Sequence, residues 1–270
     1  MSYQLGLFLF IPVLGKYLAA KVLIENVEQL DKTVGTNAKK GKVVVAKNGP
    51  YIVSGNLPLV KEIIVIDGVE GCPGDWSVGE SYPSRETYAL CRCGKSKTKP
   101  YCDGSHVKAG FDGTETASKE KFIDQAEAIG GRDIVLLDVP TLCARARFCH
   151  QAGGIWELVY NQQDEQTRKK AEKIANQCPT GRLVIWDKKT EEPMEPHYDP
   201  SISLIEDPEK DVSGGIWLKG GIPVTSADGK PYETRNRMTL CRCGESKNKP
   251  FCDGSHIDCG FNDSNPSISK

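Results

Sequence analysis

"CRCGKSKTKPYCDGSH" occupies residues 91–106 and "CRCGESKNKPFCDGSH" occupies residues 241–256, with 13 of 16 positions identical. Both copies read C-x-C-x8-C-x3-H, as Cys91, Cys93, Cys102 and His106, then as Cys241, Cys243, Cys252 and His256. Thiolates are soft ligands and imidazole is borderline, which selects zinc or an iron–sulfur cluster. Structural zinc sites usually leave two to four residues between paired ligands, so a C-x-C pair weakens zinc without excluding it. Gly104 can take a positive φ at little cost, letting the chain reverse and bring the histidine back to the metal. His106 lies four residues after Cys102, a spacing that puts both on one face if the turn is helical.

The repeat extends beyond the cysteines. "NGPYIVSGNLPL" (48–59) echoes "SGGIWLKGGIPV" (213–224), matching Gly49 with Gly214, Gly55 with Gly220 and Pro58 with Pro223. "YALCRCG" (88–94) then parallels "MTLCRCG" (238–244). Each unit therefore has an apolar alternating stretch, a variable loop, an approach strand and the Cys/His loop. β-Prone residues bounded by Gly and Pro predict short strands and turns, and "EIIVID" (62–67) adds another strand.

The middle of the chain is different. "RDIVLLDV" (132–139), "GIWELVY" (154–160) and "RLVIWD" (182–187) are expected as strands. "DEQTRKKAEKIANQ" (164–177) is expected as a helix capped by Asp164, with Ala171, Ile174 and Ala175 on one face. The acidic, proline-spaced "EEPMEPHYDPSISLIEDPEK" (191–210) is expected as an extended linker.

C-x-C-x2-S-x3-P-x-C-D-G-S-H is the signature of the CDGSH, or NEET, iron–sulfur family, and both copies resemble it at every signature position. The resemblance implies one three-cysteine, one-histidine [2Fe–2S] cluster per motif. By the same analogy Cys91 and Cys93 hold the inner iron and Cys102 and His106 the outer one. In the second copy Cys241 and Cys243 are inner, with Cys252 and His256 outer. Well-known family members are homodimers in which each protomer gives a strand to its partner's β-cap. A chain with both copies implies an intramolecular pseudo-dimer, with 48–59 and 213–224 as the equivalent cap strands.

Five cysteines remain. Cys259 aligns with Ala109, and Cys72 lies in a loop the second copy lacks, so both are read as packed thiols. Cys143, Cys149 and Cys178, in "LCARARFCH" and "NQCPTGRL", resemble the divergent single-cluster [4Fe–4S] domains, in which a final cysteine precedes proline. A cubane needs four ligands, and His150 is the nearest fourth candidate. Two readings stand for this segment, a third cluster or a relic fold with buried thiols. His197 in the acidic linker reads as solvated, and the four tryptophans as core.

These readings give an α+β chain. Its parts are an N-terminal extension (1–44), a first cluster module (45–117) and a ferredoxin-like α/β middle domain (118–190). A linker (191–210), a second module (211–265) and a tail (266–270) follow. At 270 residues the chain can bury several modest cores. A net charge of −1 offers no basic field for nucleic acid. Eleven cysteines without miniprotein density suit metal ligation in a reducing, cytoplasmic setting. "LGLFLFIPVL" (5–14) has the length of a signal h-region but no positive n-region before it, leaving targeting or anchoring as the alternative. It is too short to span a bilayer. No dinucleotide loop, phosphate loop or H-E-x-x-H motif is present. The expected function is electron transfer, cluster transfer or redox or iron sensing, with a redox partner or an apo-protein acceptor and no organic substrate. The alternatives are a zinc-stapled interaction module and an electron-transfer subunit of a larger oxidoreductase.

Overall fold

The computed structural model describes residues 41–263. The apolar stretch 5–14 and nearly all of the expected N-terminal extension lie outside the described residues. The chain from Lys40 onward clusters as one unit.

Among the described residues, twelve strands form three sheets. In chain order they are β1 (Lys42–Val45), β2 (Tyr51–Ser54), β3 (Leu59–Ile66), β4 (Pro73–Tyr82), β5 (Thr87–Leu90) and β6 (Glu127–Gly130). Then come β7 (Ile134–Asp138), β8 (Leu183–Asp187), β9 (Ser201–Asp207), β10 (Val212–Lys219), β11 (Val224–Thr225) and β12 (Arg237–Leu240). One sheet has the order β11-β1-β2-β5, the second β12-β10-β9-β3-β4 and the third β6-β7-β8.

The first two sheets exchange strands. β3 follows β2 in sequence but lies parallel to β9 in the other sheet, with Leu59 beside Ile202. β11 follows β10 but lies parallel to β1, with Val224 beside Val43. The stretches 48–59 and 213–224 are therefore not themselves the exchanged strands. They hold β2 and β10, which pair with the β5 and β12 of their own repeat, and the crossing begins where each stretch ends. Gly55 (φ 94°) and Gly220 (φ 77°) turn the chain out of its sheet, a backbone only glycine adopts freely. Pro58 and Pro223 lack the N–H that a continuing ladder would use.

Alternation along β1 and β2 turns Val43, Val45, Tyr51 and Val53 inward. They join Ile202, Leu204, Ile216, Leu218, Met238 and Leu240 in one core shared by both sheets. At about 25 cal/mol per Å² of apolar surface, this common core holds the two repeats together more strongly than any polar contact between them. A second core lies between the third sheet and two helices, uniting Ile134, Leu136, Leu183 and Ile185 with Ile155, Val159, Ala171 and Ile174.

The helix Glu165–Asn176 forms as expected: Asp164 accepts the Thr167 N–H at 2.7 Å, and Ala171, Ile174 and Ala175 are buried. Residues 154–160, expected as a strand, instead hold the helix Ile155–Tyr160. Its buried residues, Ile155 and Val159, are four apart, the spacing of one helical face. The expected linker 191–210 contains β9, a central strand buried on both faces between β3 and β10. Ser201–Leu204 alternates polar and apolar residues, a short strand signal set among acidic, proline-spaced neighbours. β1 begins at Lys42, inside the expected extension 1–44, because its parallel partner β11 comes from the far repeat.

Candidate metal centres

Each Cys/His loop leaves a strand, β5 or β12, and returns through a one-turn helix, Ser105–Lys108 or Ser255–Asp258. Gly104 (φ 84°) and Gly254 (φ 86°) open those turns in the left-handed region. Asp103 ties the first loop together by accepting the Lys97 N–H at 2.8 Å and the Ser105 N–H at 2.9 Å. Asp253 does the same for Lys247 and Ser255.

Within each loop the ligand candidates come in two pairs. Cys91 and Cys93 Sγ are 3.8 Å apart, and Cys102 Sγ lies 3.4 Å from His106 Nδ1. Cys241 and Cys243 Sγ are 3.7 Å apart, and Cys252 Sγ lies 3.4 Å from His256 Nδ1. A thiolate–metal bond of about 2.3 Å gives a tetrahedral edge of about 3.8 Å. Each pair is thus spaced to span one edge of a four-coordinate metal ion. No group of three or more His, Cys, Asp and Glu converges on a single ion among the described residues.

Backbone donors face the sulfurs. Lys95 N lies 3.5 Å from Cys93 Sγ, Gly244 N 3.3 Å from Cys241 Sγ and Glu245 N 3.4 Å from Cys243 Sγ. Such N–H groups favour thiolate over thiol. The hydrogen bond from Cys243, followed by the Ser246 and Gly244 N–H groups, brings the Cys241 thiol below its ordinary value despite its burial.

The two loops touch at their C-x-C ends. A Cβ on Gly244 would come within 2.8 Å of the Cys93 carbonyl oxygen, and one on Gly94 would strike the Cys243 carbonyl. Neither glycine can carry a side chain without moving the other loop.

The outer pairs differ. Cys252 and His256 are buried, whereas Cys102 and His106 are half-exposed. Burial above all lowers the His256 imidazole to about 4. Arg145, from the middle of the chain, lies over Gly254, where an added Cβ would meet its Cγ at 2.5 Å. Arg145 also pairs with Asp258 at 2.7 Å. Asn248 Nδ2 donates to the Thr141 carbonyl at 2.9 Å, and the Ala117 N–H donates to the Lys249 carbonyl at 2.9 Å. The Tyr51 hydroxyl reaches across from β2 to the Cys241 and Pro250 carbonyls, at 2.9 and 3.0 Å. Ile216 stands at the matching place in the second repeat, so the first loop receives no such bond from it.

Cys143, Cys149 and Cys178 line one small cavity together with Arg145, Arg147 and Arg182. Burial, with Cys178 and Cys143 nearby, pushes the Cys149 thiol up to about 12. His150 is exposed and does not line the cavity, so the lining supplies three ligands of the kind a cluster takes and no fourth His, Cys, Asp or Glu. Arg145 (φ 58°) and Arg147 (φ 67°) hold left-handed backbone that costs a non-glycine residue roughly 1–3 kcal/mol each. Ion pairs fix both side chains, Arg145 with Asp258 and Arg147 with Asp207 at 2.5 Å. Arg237, fully buried on β12, donates to the Ala175, Cys178 and Leu183 carbonyls and pairs with Glu195. It thereby fastens the Cys178 turn to the strand that leads into Cys241.

Sequence reasoning passed over Arg92 and Arg242, the middle residue of each C-R-C. Arg92 donates to the Gly49 and Ala46 carbonyls, and Arg242 pairs with Glu206 and Asp263. The signal was an arginine repeated between two cysteines. Of the leftover cysteines, Cys259 is exposed rather than packed and Cys72 is half-buried. His197 is exposed, as expected. Among the described residues no helix is long and apolar enough to cross a membrane.

Family models match the chain in three places. The iron-binding zinc finger of CDGSH type matches residues 48–107 and 213–257, and the divergent 4Fe-4S mono-cluster model matches 129–188. No curated protein and no solved structure matches the chain.

Proposed function

We propose that this chain, with tandem CDGSH iron-binding regions around a divergent 4Fe-4S mono-cluster region, is an iron–sulfur protein holding two [2Fe–2S] clusters. Cys91, Cys93, Cys102 and His106 hold one, and Cys241, Cys243, Cys252 and His256 hold the other. The observation that carries this reading is the pairing of ligands. Each loop offers two tetrahedral edges and no convergent set of three or more. A single zinc needs all four ligands on one ion, whereas a dinuclear cluster takes two protein ligands on each metal. The exchange of β3 and β11 between sheets supports an intramolecular pseudo-dimer.

Bound there, such clusters supply one-electron chemistry. The chain's own part is to exclude water from the inner cysteines and aim N–H groups at the sulfurs. At the second loop, burial also holds His256 neutral for ligation. Imidazole is protonatable and a weaker hold than thiolate, which suits passing an electron or a cluster to a protein acceptor more than acting on an organic substrate. Cys143, Cys149 and Cys178 form the third candidate centre. All three thiols line one small cavity, the placement a bound cluster would need, while its three arginines already pair with Asp258, Asp207 and Asp138.

The test is the absorption spectrum of anaerobically purified protein, with iron, sulfide and zinc quantified. Two clusters give four irons and four sulfides per chain from the CDGSH loops, with visible absorption bleached by dithionite. Cys91→Ser removes half of it. Stoichiometric zinc without sulfide overturns the reading. A chain with Cys91, Cys93, Cys241 and Cys243 all changed to Ser, reconstituted anaerobically, isolates the third centre. Three to four irons bound, and lost again on Cys178→Ala, support a cubane; iron-free folded protein leaves the middle as a spacer.

A further inference from the structure

Three positions differ between the 16-residue loops, one of them in charge, and a second charge difference lies two residues beyond the histidine. Thr98 stands where the second loop has Asn248, Lys95 where it has Glu245, and Lys108 where it has Asp258. Two of these second-loop residues bind the middle of the chain: Asn248 holds the Thr141 carbonyl and Asp258 holds Arg145. The segment 141–145 thus covers the buried Cys252 and His256 by gripping the rim of their loop. At the first loop the same rim is bare. Thr98, Lys95, Lys97 and Lys108 are exposed, Val107 is 75% exposed, and Cys102 and His106 remain half-open beneath them.

The geometry points to the first loop's rim as the docking face for an acidic protein, whose carboxylates take on Lys108 and Lys95 the place that Arg145 takes on Asp258. The sign of the rim selects the partner. Where the internal cover brings a cation, the second loop carries an aspartate; where no such cover is found among the described residues, the matching position carries a lysine. An exposed apolar residue beside Lys108, on the loop of a half-open ligand pair, fits a protein surface better than a small anion, because Val107 gains only from apolar contact. Charge complementarity on such a rim chiefly accelerates encounter and weakens with salt. The second centre is thereby the retained one and the first the exchanging one. This division rests on the cluster reading for what crosses the face, whereas the face itself is independent of the metal.

The test uses the full chain, purified anaerobically, and fluorescein-labelled poly-L-glutamate as the acidic polypeptide, followed by anisotropy at low salt. The variant K95E/K97E/K108E is compared with K47E/K169E/K189E, which makes the same change of charge at three exposed lysines elsewhere. The expected result is binding weakened about tenfold or more by the first variant and less than about twofold by the control, with wild-type binding lost as salt rises. Equal weakening in both variants, or no binding by wild type, overturns the proposal. Should the first variant misfold, carbodiimide crosslinking of the wild type to the same probe decides. Crosslinks concentrated on Lys95, Lys97 and Lys108 support the face, and crosslinks scattered over the other lysines sink it. Iron and sulfide are measured in the same samples. Zinc-loaded protein that still binds at this rim would overturn the cluster reading alone, and cluster-loaded protein without rim preference would overturn the face alone.

Discussion

The two Cys/His loops are nearly one sequence in two settings. Both carry ligand pairs at 3.4–3.8 Å, a left-handed glycine before the histidine helix and an aspartate that ties the turn. One lies open, and the other is roofed by Arg145 and bonded from below by Tyr51. Local sequence therefore sets the ligand geometry, while exposure is set by residues distant in the chain. Exposure is what separates a site that can meet a partner from one that cannot.

The largest effects are expected where the loops behave alike. Gly94→Ala and Gly244→Ala each force a side chain onto left-handed backbone and into a carbonyl of the opposite loop. Backbone strain of about 1–2 kcal/mol and overpacking of about 1–3 kcal/mol predict a loss of roughly 3 kcal/mol for either. Chemical denaturation measures it, and metal content should fall at both loops together. Loss confined to the substituted loop would show that the seam does not couple them.

Acid should act next, at the second loop. In metal-free protein His256 stays neutral down to about pH 4, while the unfolded chain takes up a proton near 6.5. The unfolded state then binds more protons between those values, so stability is full above about pH 6.5 and falls as the pH drops toward 4. The full difference approaches about 3 kcal/mol. His256→Gln should flatten that part of the stability–pH curve relative to wild type. A curve unchanged by the substitution would mean that burial does not hold this histidine neutral.

What could be read in advance follows the same division. The eight candidate ligands were legible because metal chemistry writes residue type and spacing directly into a short stretch. The helix Glu165–Asn176 was legible through its Asp164 cap and its one apolar face. β9 was not, since the acidic, proline-spaced residues around it outweighed the short polar–apolar alternation of Ser201–Leu204. Ile155–Tyr160 was taken for a strand because its run of β-prone residues outweighed the four-residue spacing of Ile155 and Val159. The roof over the second loop was illegible for a different reason. Arg145 meets Asp258 across 113 residues, and nothing local to either announces the other.

Glycine substitution at the turns isolates the roof. Gly104 and Gly254 share nearly the same φ, 84° and 86°, so alanine should cost each about 1–2 kcal/mol of backbone strain. A Cβ at Gly104 meets nothing within 4 Å, but at Gly254 it meets the Arg145 side chain near its base. Gly254→Ala should therefore cost roughly 1 kcal/mol more than Gly104→Ala. Adding Arg145→Ala should recover that excess in a double-mutant cycle while leaving Gly104→Ala unchanged. If the excess survives without Arg145, the roof is not its source.

The smallest expected effect on stability is the removal of the roof's own ion pair. Arg145 and Asp258 keep 47% and 66% of their side chains exposed, and exposed pairs are worth about 0–1 kcal/mol. Asp258→Asn should thus barely move the denaturation midpoint. Access is a different quantity, because Cys252 is buried beneath the segment that this pair helps to hold, while Cys102 is already half-open. In metal-free protein treated briefly with iodoacetamide and mapped by mass spectrometry, Cys102 should be modified well before Cys252. Asp258→Asn together with Arg145→Ala should bring the Cys252 rate toward that of Cys102 and leave Cys241, at the seam, unreactive. A Cys252 rate that stays low without either side chain would assign its protection to the packing of the loop itself. The contrast between the two centres would then arise from the shared core rather than from the 141–145 segment.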